Sequence, residues 1–400
     1  MIEGFDIICI STSDWKSPWG SRQQIMTRLS EKNRVLFIEY QASFLHLLKY
    51  PKQFCRIFKP HLINVNKNLM VYRPLLNLPF RYYSTAINLL NQRLLLLQLR
   101  YLIRQLKFTK ILLWTFEPTA CAIIGKVREG ISIYHCIDFF KNEKNIAIRK
   151  KCIENMEEGL CKSCNIVLVS TTRLLADKIA FNKETHLVPS AVDEFFFKID
   201  NLFLSTPVLE NLKKIKGVRI GFIGTLDDRI DLELIDFIAN QHEDWAIILV
   251  GPVKNRGLGF LRKKNVYLPG YLNSSFIPSC ISLFNICIIP YKVNEFTSGI
   301  SPIKVFEYLS VGKPIVATEL PSLRDLEIKN LLKIAKDKPE FVKQIESSLR
   351  NDGQEDKKIR IKFAKNNTWQ HRVDSISEII NSYSRKLTSD STFNHLHELS

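Results

Sequence analysis

Between Ser301 and Thr318 the chain reads SPIKVFEYLSVGKPIVAT, which brings a serine-proline, Lys304, Glu307 and a glycine-lysine-proline close together. Serine is a good helix N-cap, and proline suits the first helical position, where a missing N–H costs nothing. The segment therefore predicts a helix opening at Ser301 and Pro302, running through VFEYLSV and stopping at Gly312, with IVAT beyond Pro314 as a buried strand. The N-terminus of such a helix offers backbone N–H groups and the positive end of the dipole, and Lys304 at the third helical position adds a full charge. That is an anion site, and phosphate suits it best. Glu307 lies three residues further along the same face, where a carboxylate can accept sugar hydroxyls one turn behind the phosphate. A nucleotide-sugar matches both groups. Lys/Glu pairs at this spacing also decorate solvated helix faces, so the elements around the helix must decide.

Those elements alternate. FDIICIST, RVLFIEY, NLMVYRP, KILLWTF, ISIYHCI and NIVLVS punctuate the first half with strand-like runs, and VRIGFIG, AIILVG, VYLPG, ICIIPY and PIVAT the second, with helical patterns between them. The alternation predicts an α/β protein with parallel sheets covered by helices. The pattern lapses between Pro189 and Val218, which sets a first domain at residues 1–190, a linker at 191–217 and a second domain at 218–365. A helix anchored by Trp369 follows over 366–388, and 389–400 reads as a loose tail. Ligands of open α/β sheets bind beyond the carboxyl ends of the strands. Gly224, Gly251 and Gly270 stand at three such ends, where a residue without a Cβ lets backbone approach a ligand.

An apolar fraction of 46% over 400 residues is that of a globular protein with cores of its own. Lys and Arg outnumber Asp and Glu by 57 to 40, and the excess is uneven: residues 1–200 hold 29 against 17. From Tyr40 to Phe116 there are twelve Lys/Arg, including Lys49, Lys52, Arg56 and Lys59, and no acidic residue, which calls for an anionic partner. Within LLNQRLLLLQLRYLIRQL, Arg93, Arg100 and Arg104 fall on one helical stripe of an otherwise apolar segment. That composition fits a helix lying on anionic lipid better than a nucleic-acid groove, and arginines interrupt every apolar run before it reaches membrane-spanning length. The same leucines could instead be ordinary helix core, with the arginines solvated. The nine cysteines have no framework spacing, and MIEGFDIICI enters a strand pattern directly, so the expectation is a cytoplasmic chain with reduced thiols. Cys161 and Cys164 read as the close of a helix rather than as zinc ligands.

Taken in order, these motifs resemble those of retaining glycosyltransferases of the GT-B architecture, in particular the large family four that builds bacterial cell-surface polysaccharides. SPIKVFEYLSVGKPIVAT is similar to that family's donor-binding helix and strand. GFIGTLDDRIDLELI, DWAIILVGP and YLPGYLNSSFIPSCISLFNICIIPY resemble the strands and loops before it. DWKSPWGSRQQIMTRLSEKNRVLFIEY, YHCIDFF, NIVLVSTTRLLADKI and HLVPSAVDEFF resemble parts of the N-terminal domain and linker. The resemblance covers nearly the whole chain outside Tyr40 to Phe116 and the tail.

The resemblance implies two Rossmann-like domains facing a central cleft, the first binding acceptor and the second a nucleoside diphosphate sugar. It implies that Ser301, Pro302 and Lys304 meet the diphosphate, Glu307 the ribose hydroxyls, Gly224, Thr225 and Gly251 the sugar-diphosphate, and Tyr271 the base. Arg22 would aid the phosphates, and His135 and Asp138 would orient acceptor or sugar beside Lys304 as catalytic groups. It also implies that the 366–388 helix crosses back to the first domain. Lys304 and the helix dipole would replace a metal ion, so no metal or other cofactor is expected. The acceptor would be a glycan or a lipid-linked glycan at the inner face of the plasma membrane, with no nucleic acid involved. Two departures stand out: Gly299 occupies a position where many members carry a glutamate, with Glu295 nearby, and Pro189-Ser-Ala-Val-Asp193 differs from the family's usual linker at two residues. A non-hydrolysing nucleotide-sugar epimerase and a catalytically silent binding subunit are the alternatives.

Overall fold

The computed structural model describes residues 1–45, 61–139, 147–198, 204–255, 257 and 263–397. Lys49, Lys52, Arg56 and Lys59 of the acid-free segment lie outside these residues. The chain forms two compact units, Met1–Pro189 with Gln370–Ser400, and Ser190–Trp369. Each is an α/β unit built on a parallel sheet, the fold class expected from the alternating pattern.

The first unit holds β1 (Asp6–Ile10), β2 (Arg34–Ile38), β3 (Leu62–Asn64), β4 (Leu69–Tyr72), β5 (Ile111–Thr115), β6 (Ile131–Cys136), β7 (Ile166–Val169) and β8 (Thr185–Leu187). Their order is β3-β4-β2-β1-β5-β6-β7-β8, parallel except for β3 against β4. β1, β5 and β6 are buried along their whole length, as central strands covered on both faces must be, which is why they read as unbroken apolar runs. The long helix Thr85–Gln105 starts where the Ser84 hydroxyl accepts the Ile87 N–H. Its Leu95, Leu96, Leu99 and Leu102 pack on one face of the sheet with Ile8, Leu36 and Leu113.

Alternation along β6 sends Tyr134 and Cys136 to one side and His135 to the other. Tyr134 Oη donates to Glu157 at 2.6 Å, and Glu157 is paired with Lys178 at 2.9 Å, both charges almost fully buried. Removing one partner of such a pair strands the other charge, at a cost of about 3–5 kcal/mol, so this network pins the strand that carries His135. The chain's last helix, Trp369–His397, returns to this unit: Asn165 donates to Tyr383 Oη at 3.0 Å and Lys386 pairs with Glu184 at 2.7 Å. It runs past residue 388, so backbone expected as loose tail is helical as far as His397.

The second unit holds β9 (Val218–Ile223), β10 (Trp245–Val250), β11 (Val266–Gly270), β12 (Ile286–Ile289), β13 (Ile315–Thr318) and β14 (Lys333–Ala335). They are ordered β11-β10-β9-β12-β13-β14, all parallel. Residues expected to be linker behave otherwise. A 3-10 turn at Glu194–Phe197 and a helix at Pro207–Lys213 place Phe196, Leu209 and Leu212 in the core of this unit, so part of 191–217 is domain rather than tether.

Candidate functional site

Among the parallel strands of each unit the order reverses direction once, between β1 and β5 in the first and between β9 and β12 in the second. Loops leave such a point in opposite directions and open a crevice at the carboxyl ends of the strands. The residues singled out from sequence, apart from Arg93, Arg100 and Arg104, gather at or beside these two places.

In the second unit, Gly224 follows β9, Gly251 follows β10 and Gly270 ends β11. The Gly224 N–H donates to Val250 O at 2.9 Å and the Gly251 N–H to Gly270 O at 2.8 Å, so the three strand ends are stitched together by backbone. Gly251 has φ +143°, and a Cβ added to it would overlap the Gly224 carbonyl. Gly224 has φ +152°, and a Cβ there would sit 2.9 Å from Lys304 Cε. The glycines thus make room for the lysine stem to lie across the end of β9. Lys304 Nζ donates to Tyr291 Oη at 2.7 Å and stands 5.2 Å from the ring centroids of both Phe222 and Tyr291.

The helix that carries Lys304 runs Ile303–Ser310, with Pro302 as its N-cap. It begins one residue later than the Ser301 cap had suggested, and Lys304 is its second residue rather than its third. The reason is Ser190: its N–H donates to the Ser301 hydroxyl at 3.3 Å, and its own hydroxyl donates to the Ser301 carbonyl at 2.8 Å. Ser301 is engaged there instead, and no side chain caps the helix. Its first amides therefore keep the anion-binding character expected of them. Glu307, partly buried one turn on, has its carboxyl pushed up to about 7 by burial, with Lys304 pulling it down and Asp193 pushing it up.

Two groups were not picked out from sequence. Tyr291, buried at the end of β12, orients Lys304. Arg229 lies in the loop after β9, with its guanidinium 5.5 Å from the Tyr291 ring centroid and bonded to Asp227 at 2.8 and 2.7 Å. Burial raises the Asp227 carboxyl, but the Arg229 bonds and charge outweigh it and hold that group below the usual carboxylate range. The signal was available as LDDR after one strand and PY after another, polar and aromatic residues at strand ends. Thr225 shares the loop and is half-buried, whereas Tyr271, just past β11, is exposed.

In the first unit, Arg22, His135 and Asp138 come together. Arg22 is in the helix Ser21–Leu29 that follows β1, His135 is on β6, and Asp138 is two residues beyond that strand. His135 is buried, and its ring stacks on Phe116 at 4.9 Å between centroids. Arg22 Cζ lies 5.4 Å from the same Phe116 ring. Burial and then the Arg22 charge push the His135 imidazole down to about 3, so it is neutral near pH 7. Its Nδ1 has no hydrogen-bond partner among the described residues, and neither does Arg22 Nε. Burial likewise lowers the Arg22 guanidinium, against the opposing pull of Asp138. A neutral, stacked histidine can hold a hydroxyl or carbonyl but is a poor proton shuttle at neutral pH. Among the described residues, no three His, Cys, Asp or Glu side chains converge to hold a metal ion. Arg93, Arg100 and Arg104 are in neither place: they line the outer face of the Thr85–Gln105 helix.

Strand-end glycines, a lysine and an uncapped helix N-terminus come together here with the chemistry that suits an anion, and known proteins give the arrangement a family context. Residues 217–351 match the family described as Glycosyl transferases group 1, which supports the resemblance drawn from the motifs. The chain is 28% identical over 254 residues, 59% of its length, to TuaH of Bacillus subtilis (strain 168), whose name provisionally assigns it to teichuronic acid biosynthesis as a glycosyltransferase. The match spans 63% of that curated relative's length. Among solved structures, sucrose-phosphate synthase from Thermosynechococcus elongatus shares the fold at TM-score 0.70 and 14% identity, over 97% of this chain and 100% of that one. Anabaena Alr3699/HepE, solved with UDP and glucose, does so at TM-score 0.65 and 14% identity, over 95% and 100%. No helix among the described residues is long and apolar enough to cross a membrane.

Proposed function

We propose that this protein is a glycosyltransferase that moves a sugar from a nucleoside diphosphate sugar to a hydroxyl of a glycan or lipid-linked acceptor, with retention, in cell-surface polysaccharide synthesis. The observation that carries the reading is the Lys304 ammonium lying across Gly224 at an uncapped helix N-terminus, at the strand-order reversal of the second unit. The family match over the same residues and the UDP bound to the HepE neighbour support it.

In this reading the bond between the anomeric carbon and the diphosphate breaks while the bond to the acceptor oxygen forms on the same face. The acceptor proton passes to a diphosphate oxygen, so no dedicated base is required. Lys304, held by Tyr291, and the first amides of its helix stabilise the charge that grows on the leaving diphosphate, the task a metal ion would otherwise perform. Glu307 takes the ribose hydroxyls, Thr225 and Gly251 border the diphosphate, and Tyr271 lies beside the base. His135, Asp138 and Arg22 orient acceptor or sugar. A catalytically silent binding subunit is the second reading, suggested by Gly299 where many relatives of the resembled family carry glutamate.

The test is a panel of nucleoside diphosphate sugars, read first by thermal stabilisation and then by turnover with glycan acceptors, the product anomer being assigned by NMR. Stabilisation by one donor with transfer and retained configuration is the expected result. Stabilisation without transfer to any acceptor selects the silent subunit, and stabilisation by none removes both readings.

A further inference from the structure

The outer face of the Thr85–Gln105 helix plays no part in that chemistry, yet its make-up is unusual. Residues 93, 97, 100 and 104, spaced four, three and four apart, form one stripe along an α-helix, and in this chain they are Arg, Leu, Arg and Arg. Leu94 and Tyr101 flank the stripe. Leu97 and Tyr101 are each 63% exposed, and the three arginines are exposed as well. Arg100 bonds the Lys126 carbonyl at 3.4 and 3.3 Å while remaining at the surface. Just before the helix, Leu75 and Phe80 also project, Phe80 at 57% exposure. The apolar side chains and the cations therefore share the outer face, while a separate inner face carrying Leu95, Leu99 and Leu102 fills the core.

A merely solvated face would mix both signs of charge, and no Asp or Glu occurs from Tyr40 to Phe116. A second copy of the chain docked two-fold through this face would set three arginines against three arginines, an arrangement like-charge repulsion opposes. A nucleic-acid backbone would use the cations but give the exposed leucines nothing to enter. A bilayer bearing anionic headgroups satisfies both: arginine heads reach phosphate and acidic headgroups while leucine and tyrosine sink to the acyl boundary. We propose that this face, with the adjoining Leu75 and Phe80, docks on an anionic lipid surface. The proposal does not rest on the transferase reading, since docking is measured without donor or acceptor.

The experiment is sedimentation of the full chain with vesicles of phosphatidylcholine alone or mixed with phosphatidylglycerol, at low and high salt. Wild type should partition onto the anionic vesicles and weaken as salt rises, because the charge term is screened while the apolar term is not. The R93Q/R100Q/R104Q variant, changed only at outward positions, should lose about 100-fold in partitioning, the order expected for three cations near an anionic surface. The L94S/L97S/Y101S variant should lose the fraction that survives high salt. Equal partitioning to neutral and anionic vesicles, none to either, or variants that bind like wild type would overturn the proposal. So would a concentration-dependent dimer in sedimentation velocity that L94S/L97S/Y101S abolishes, which would assign the face to a second copy. The wild-type comparison of the two vesicle types needs no variant and is decisive even if a variant unfolds.

Discussion

The two strand-order reversals, β1 with β5 and β9 with β12, occupy the same place in their sheets and are furnished in opposite ways. In the second unit glycines stand at the ends of β9, β10 and β11, so backbone rather than side chain lines those ends, and the charges are held on side chains already paired: Lys304 to Tyr291, Arg229 to Asp227. At β1 and β5 the ends are crowded by rings. Phe116 has the Arg22 guanidinium carbon 5.4 Å from its ring centroid and His135 stacked at 4.9 Å, and the polar atoms that remain, His135 Nδ1 and Arg22 Nε, lack partners among the described residues. A glycine-lined end with positioned cations suits a multiply charged diphosphate, whose oxygens need many donors at once. A ring-lined end with a neutral imidazole suits a ligand recognised by a few hydrogen bonds and a flat apolar face. The fold decides where a ligand sits; the residue that follows each strand decides what chemistry it meets.

Four experiments would break or sharpen that contrast. The largest effect belongs to Lys304→Ala, which should lower turnover about 1,000-fold, the loss typical of removing one donor that stabilises transition-state charge, with little change in melting temperature. Unchanged turnover would mean the diphosphate does not lie against this lysine. Next comes Gly251→Ala. With φ +143° and a Cβ driven into the Gly224 carbonyl, it should destabilise the protein by about 3 kcal/mol in urea unfolding, whereas an alanine that left stability intact would show that the strand ends are not stitched as described.

The two carboxylate and imidazole groups give the third test, because their shifts carry opposite consequences. Glu307, raised to about 7, keeps a proton in the folded state that the unfolded chain releases near 4.5, so its contribution falls as pH rises from about 4.5 to 7 and is level above. The stability difference between wild type and Glu307→Gln should therefore shift against wild type across that window. His135, lowered to about 3, makes the unfolded chain the better proton binder, so its contribution grows from pH 3 to about 6.5 and is level beyond. By NMR its ring should stay neutral from pH 5 to 8, and a midpoint near 6.5 would erase the distinction between the two crevices. The smallest expected effect is none: transfer should persist in a strong chelator, and complete inhibition reversed by added metal would hand the diphosphate to an ion instead of Lys304.

Much of this was legible beforehand, for particular reasons. Long central strands such as DIICI and WAIILV announce themselves because burial on both faces demands unbroken apolar runs. β3, β8 and β14 were missed, being three-residue strands at sheet edges, too short for any period to show, and β3 is exposed along its length. The outer face of the Thr85–Gln105 helix was half legible: the arginine stripe follows from helical spacing, but which leucines lie beside it and which fill the core depends on the face the sheet covers.

The amino-acid sequence by itself determined the elements whose causes are local: the alternation that makes two parallel sheets, the glycines at strand ends, the stop at Gly312, and the placing of Lys304 near a helix start. Tertiary structure alone decided the rest, because it depends on partners distant in the chain. Ser190 takes Ser301 away from the cap it would otherwise form, and Tyr291 takes Lys304 across the end of β9. Burial on β6, with Arg22 brought in from another element, turns a histidine that would titrate near neutrality into one that stays uncharged. Capping, lysine orientation and ionisation are each settled by contacts between residues from 13 to more than 100 positions apart, and no local pattern encodes those.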